Sequence, residues 1–333
     1  MPNIDYLKIF RDAWKITWKN RFLWWFGLFL LMPGISNPNY FSTSDKQSKE
    51  SWQAAAEKVH LQDFISKHAA LIATIIGILA ILFLVFLVLG FISRGALIKS
   101  TQKILKNEPA GFMSGFRDGK KYFWKLFSIL FFSGLAVFAC IIILAIPIII
   151  LFVAKAYIIG GILAFLAVLI LIPLLILCKY LQVYASFYAV LADLRPWLAV
   201  ENAYALFKKN ILASIIMSLL FIPLGILSFL VLIAIALAVL IVFGLIGLVL
   251  FFALKNTGAI IAIILGLLVF IPAAILFYSI FSAFSEVAWV LFFHVIATPK
   301  EKEKVEEKIS EEEKAAILPA TETIKTTELE TEK

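Results

Sequence analysis

The sequence predicts an all-α, polytopic transmembrane helical bundle of about six spans. Three observations carry that prediction. Hydrophobic residues make up 62% of the 333 and charged residues 16%, against roughly 45–50% and about 25% in soluble domains. The excess is gathered into blocks: 69–92, 126–154, 156–178, 211–254 and 256–285 contain no Lys, Arg, Asp or Glu. Each block exceeds the ~20 apolar residues with which a helix crosses ~30 Å of hydrocarbon. Third, Gly and Pro recur inside the blocks, which membrane helices tolerate and alternating-strand barrels do not favour. The predicted spans are 16–33, 69–93, 126–154, 156–178, 211–254 and 258–290, within a membrane domain covering 1–298.

Residues 4–20 read as an amphipathic helix. Lys8, Arg11, Asp12, Lys15 and Lys19 share one side, and Leu7, Phe10, Trp14 and Trp18 the other. That is the pattern of a helix lying in the membrane interface, with Trp14, Trp18, Arg11 and Lys15 as anchors at headgroup depth. The apolar run that follows, 22–32, gives only ~17 Å of helix. A full first crossing therefore has to start near Ile16, with Lys19 and Arg21 reaching back to the interface; a half-membrane hairpin is the alternative. The run ends in Pro33-Gly34 without a small-x-small site, so a retained segment is expected rather than a cleavable signal peptide.

Residues 37–68 are polar, with four acids balancing four lysines and a weak stripe of Trp52, Ala55, Val59 and Phe64. A solvated or surface-lying helix is expected there. Orientation follows from the basic residues: 94–125 holds eight, 1–21 five and 179–210 four. Opposite them stand the neutral 34–68 segment and the single lysines Lys155 and Lys255. Cytoplasmic connections carry the Lys/Arg excess, so both termini are predicted in the cytoplasm of a cell-membrane protein. This count holds if 211–254 crosses once, or crosses with a re-entrant kink near Pro223 or Gly244; two full crossings there would put the tail outside unless 256–297 also crosses twice. Residues 299–333 hold eleven Glu, seven Lys and no aromatic residue, which predicts a disordered, charged cytoplasmic tail.

The net charge of +8 accompanies no nucleic-acid-binding module and flanks membrane segments, so anionic lipid headgroups are the expected partners and nucleic acid is not. Cys140 and Cys178 both lie in apolar blocks and define neither a disulfide framework nor a metal site.

The chain also repeats itself. FRDAWKITWK (10–19) and FRDGKKYFWK (116–125) agree at six of ten positions, and AYALFKKN (203–210) echoes AWKITWKN (13–20). Arg117, Trp124 and Lys125 are thereby candidate anchors equivalent to those of the first copy. Ile172-Pro173 and Ile271-Pro272 each precede a serine, Ser186 and Ser285, by the same spacing from proline. The simplest unit is an interfacial amphipathic helix plus a membrane hairpin, used three times.

Ala13-Trp14…Trp18-Lys19-Asn20, Gly90-Phe91-Ile92-x-x-Gly95-Ala96-Leu97, Gly115-Phe116-Arg117-Asp118-Gly119 and Phe123-Trp124-Lys125-Leu126 together resemble two groups. One comprises prokaryotic multi-pass membrane families of unassigned activity; the other is the membrane domain attached to some glycerophosphodiester phosphodiesterases. The resemblance covers most of 1–297 and implies fold and membrane placement. The phosphodiesterase barrel with its metal-binding residues is absent, so no catalytic residue is implied.

Candidate chemistry is sparse. His60 and His68, with Asp63 between them, are too few for a zinc site. Glu286 is the one acid within the final apolar stretch, a possible intramembrane functional acid or an interfacial, paired one. Lys155 reads as a turn residue, Lys179 as a snorkelling one, and Asp193 and Arg195 as capping or pairing residues before Pro196. Pro147, Pro173, Pro223 and Pro272 interrupt the blocks, as in the broken helices of transporters or in ordinary kinked packing. No Ser-His-Asp set, phosphate loop or carboxylate pair is recognisable. A non-enzymatic, cofactor-free protein that organises lipid or binds a membrane partner is expected. The alternative is a transporter-like protein with a site between kinked helices.

Overall fold

The computed structural model describes residues 4–31 and 69–297, all helix and connection with no strand among them. Eight helices follow in order: α1 (Tyr6–Lys19), α2 (Phe22–Leu31), α3 (Ala69–Leu105), α4 (Phe112–Val153), α5 (Tyr157–Leu191), α6 (Pro196–Lys209), α7 (Ile211–Leu254) and α8 (Asn256–Ile296). Helices α3, α4, α5, α7 and α8 are long and apolar enough to cross a membrane. They mark a membrane-embedded protein.

Helix ends depart from the predicted spans in a systematic way. The 94–125 stretch, read as a connection, is helical except for 106–111, because its amphipathic flanks extend the apolar helices. Spans 69–93, 126–154, 156–178 and 258–290 are lengthened in the same manner to 69–105, 112–153, 157–191 and 256–296. Residues 211–254 form one helix of 44 residues, with Pro223 inside it. Residues 16–33 do not form one helix. The Asn20 side chain donates to the Ile16 carbonyl at 2.8 Å and the chain turns there, leaving α2 at ten residues, about 15 Å. Asn210 does the same to the Leu206 carbonyl at 3.1 Å between α6 and α7. In the second FRD copy the matching position is Leu126, and α4 runs through unbroken. The surface helix expected in 37–68 and the tail 299–333 lie outside the described residues.

Two tight turns close the long hairpins at the lysines singled out in the sequence. Lys155 (φ 60°) lies between α4 and α5, and Lys255 (φ 52°) between α7 and α8. At the first, Ala156 N donates to Leu151 O at 3.0 Å and Lys155 N to Phe152 O at 3.1 Å. This pair of bonds closes a helix on a left-handed residue.

Two compact units share the chain. One comprises 1–12, 124–214 and 288–333, the other 13–123 and 215–287. In the first, Trp289 is fully buried, with Tyr180 and Tyr184 edge-on to it at 6.4 Å each. Phe293 meets Phe187 and Tyr188 at 5.3 and 5.0 Å. Tyr184 Oη and Ser214 Oγ lie 2.7 Å apart, so the phenol's polar end is satisfied inside the aromatic cluster. In the second unit, α4 crosses α3 where Gly119 sits on the Ile92 carbonyl, and α2 lies on α8 where Gly27 sits on the Ser279 carbonyl; a Cβ at either place would collide with backbone. Phe26 stacks on Phe112 at 5.0 Å.

Burial concentrates in 90–101 of α3, 180–190 of α5 and 283–296 of α8. The most apolar 18-residue windows are the reverse: none of the window is buried in α4, α5 and α7, and 17% and 11% in α3 and α8. Large aliphatic side chains facing outward over that length are what a hydrocarbon surround stabilises. Polar solvent would not.

Candidate functional site

Glu286 is buried at 1% exposure, and its partner is Arg94, likewise buried at 6%. Helix α3 carries the arginine directly after its charge-free stretch, and α8 carries the glutamate at the end of its own. Arg94 Nε donates to Glu286 Oε1 at 3.2 Å. Removing two charges from water is costly, so burial of either alone would be strongly unfavourable. The neighbourhood on α8 is polar: Ser279 Oγ donates to the Trp24 carbonyl, and Ser282 Oγ is buried with no hydrogen-bond partner.

Arg94, counted in the sequence with the charges of the 94–125 connection, is thus buried and paired. Ser-x-x-Ala followed by two apolar residues occurs at six places in the sequence, and the copies at 93–98, 186–191 and 285–290 are the ones that fall in the buried stretches of α3, α5 and α8. The Ser and Ala side chains of these three copies are all buried, at 3% exposure or less. Arg94, Phe187 and Glu286 are the second residue of each copy, so the opposite charges occupy matching steps of two helices and an aromatic ring the third.

The expected anchors divide differently from the two-sided reading. On α1 the face turned into the protein carries Ile9, Ala13 and Thr17, with Phe10 half-buried. Leu7 (81% exposed), Trp14 (49%) and Trp18 (50%) stand outside, beside exposed Arg11, Lys8, Lys15 and Lys19. The helix thus has three faces: one packed, one apolar and exposed, one cationic. Trp14 and Trp18 stack at 5.3 Å, and Trp14 meets Phe284 edge-on at 5.8 Å. Trp24 Nε1 donates to the Thr17 carbonyl at 3.0 Å. Tyr6, half-buried on the packed side, has its phenol pushed above the ordinary value by burial and stays neutral.

Arg117 is exposed and Trp124 is 71% exposed. Lys125 is held by Asp193, whose carbonyl and carboxylate accept from Nζ at 2.6 and 2.8 Å; Asp118 accepts from Lys103 at 2.5 Å. The three related segments share a burial phase. Ala13, Gly119 and Ala203 are buried; the next two residues of each are exposed; a packed pair follows (Ile16–Thr17, Tyr122–Phe123, Leu206–Phe207); then Trp18, Trp124 and Lys208 face outward.

His294 lies with Nδ1 2.9 Å from the Val290 carbonyl, while His60 and His68 lie outside the described residues. Cys140 and Cys178 are half-buried free thiols. No protein-family model matches the chain, and neither a curated protein nor a solved structure is significantly similar to it.

Proposed function

We propose that this chain is a non-enzymatic, six-crossing cell-membrane protein that gathers anionic lipid along three basic, aromatic segments, and organises that lipid or a membrane partner around itself. The observation that carries the reading is the common burial phase of 10–19, 116–125 and 203–210, which leaves Arg, Lys, Trp or Tyr outward on each. Trp and Tyr favour the headgroup zone, and each basic residue near an anionic surface contributes about 1 kcal/mol. The shared phase supports three like units. Three like units return both termini to the side where the basic residues gather, which is the cytoplasm. The sixth crossing is the one that begins with α2.

Lipid enrichment around the full-length protein in nanodiscs of mixed phosphatidylglycerol and phosphatidylcholine tests this. The protein should concentrate the anionic lipid, less so in high salt, and K8Q/R11Q/K15Q should reduce the enrichment. Equal recovery of both lipids at every salt concentration would sink the reading.

A transporter-like protein is the second reading, supported by the buried Arg94–Glu286 pair and by prolines inside four long helices. In a background lacking Cys140 and Cys178, S282C should then react with impermeant thiol reagents from each side of the membrane in turn. Labelling from neither side would end that reading.

A further inference from the structure

Among the described residues Arg94 uses one of its donors. A guanidinium carries five N–H groups, and only Nε is engaged, end-on, with Glu286 Oε1. Among the described residues neither terminal amino group of Arg94 has a hydrogen-bond acceptor, although the side chain is 7% exposed. The second oxygen of Glu286 is in the same position. Ser282, four residues before Glu286 and so on the same helical face one turn away, adds a buried hydroxyl with nothing to bond. Buried polar groups are normally satisfied; Ser282 Oγ is fully buried without a partner, whereas the amino groups of Arg94 and the second oxygen of Glu286 are not among the fully buried unpartnered atoms and so stay open to a ligand.

The missing group has a definable chemistry. The planar pair of amino groups left on Arg94 matches two oxygens of a tetrahedral oxyanion, the geometry in which arginine recognises phosphate. Glu286, bonded to Nε, holds the guanidinium in orientation without occupying that edge. The hydroxyl of Ser282 adds a further neutral donor on the same face of α8. Position matters as well. Both charged residues stand where the charge-free stretches of α3 and α8 end, the level at which a membrane helix meets lipid phosphate.

We infer that Arg94, oriented by Glu286 and supported by Ser282, is a binding site for a phosphate oxyanion, supplied by a phospholipid headgroup or by free phosphate. The inference rests on the membrane placement proposed above but uses a buried site apart from the exposed lysines of α1.

The test is the melting temperature of the full-length protein in a neutral maltoside detergent. The probes are phosphatidylglycerol, diacylglycerol, which has the same tails without phosphate, and inorganic phosphate. Each variant is compared with its own melting temperature without additive. Phosphatidylglycerol should raise the melting temperature saturably and diacylglycerol should not. Inorganic phosphate should either compete with the lipid, which identifies the lipid source, or stabilise as strongly by itself, which identifies the free anion. R94Q should abolish the part of the response that persists in high salt, where the exposed lysines of α1 are screened, and R94K, charged but without the fork, should weaken the apparent affinity of that part at least tenfold. E286Q should keep the response and tighten it about tenfold, because a negative charge beside the anion is removed.

The sign for E286Q separates a receptor from a strut, and it remains readable if R94Q does not fold. Identical responses to phosphatidylglycerol and diacylglycerol, or loss of the response in E286Q with its retention in R94Q, would overturn the inference. K8Q/R11Q/K15Q should leave this response intact. A response lost there but kept in R94Q refutes the Arg94 site and leaves the proposed function standing.

Discussion

Arg94 and Glu286 depend on each other more than they add to stability. An ion pair removed from water gains little over apolar side chains of similar size, whereas one partner left alone costs about 3–5 kcal/mol. E286L and R94M should therefore each lower the melting temperature by many degrees. The double variant R94M/E286L should recover most of that loss while losing any response to phosphate. Thermal unfolding of the four proteins closes the cycle, and a double variant that melts at the sum of the two losses would contradict it. Lys155 and Lys255 make the opposite case. Each occupies the left-handed region at a hairpin tip, where a side chain costs roughly 1 kcal/mol relative to glycine. K155G and K255G should each raise the melting temperature slightly, and a decrease would mean that the lysine side chains hold the tips.

At the scale of the element, α4 carries two glycines of opposite meaning. Gly119 touches the Ile92 carbonyl, whereas a Cβ on Gly134 would meet nothing within 4 Å. G119A should force α3 and α4 apart and cost about 1–3 kcal/mol. G134A should be neutral or gain up to about 1 kcal/mol from helix propensity. Equal melting of the two variants would mean that α3 and α4 are not held by that contact. Helix α1 shows what a period can and cannot reveal. Its amphipathic pattern was plain in the sequence, but hydropathy separates only two sides. It placed Phe10 with Leu7, Trp14 and Trp18, and packing instead takes the small residue Ala13 and the self-satisfied Thr17, whose hydroxyl donates to the Ala13 carbonyl at 2.9 Å. The outward tryptophans are legible only once it is known which face the protein keeps.

For the whole molecule, the charge-free blocks were enough to place five long helices and both lysine turns, because few structures but a helix satisfy so many backbone groups in hydrocarbon. Helix ends were underestimated because flanking amphipathic segments such as 112–125 continue the same hydrogen-bond ladder. The break at Asn20 escaped because an asparagine bonding back to the fourth preceding carbonyl leaves no hydropathy mark. Arg94 escaped because a charge after an apolar block reads as solvated, and only its opposite number, 192 residues away along the chain, reveals otherwise. Orientation is the expectation with the most direct test. In sealed cells lacking Cys140 and Cys178, a cysteine at position 48 should react with an impermeant reagent and one at position 105 should not. The reverse pattern would invert the protein.

Helix α7 has a consequence for the membrane itself. Its 44 residues carry no charge and run about 66 Å, roughly twice the hydrocarbon thickness. Upright, half of its outward Leu, Ile, Val and Phe would stand in water. Inclination alone would require about 60°, beyond the 0–40° usual for such helices. For a single crossing, the remaining mismatch would be taken up by kinking at Pro223 or by lipid thickening around the α7–α8 hairpin, the latter at a cost growing with every ångström of deficit. A single crossing by α7 predicts that stability follows bilayer thickness. The protein's melting temperature should climb as acyl chains lengthen from roughly 14 to 20 carbons, and in a membrane of uneven thickness the protein should collect in the thicker regions and draw long-chain lipid with it.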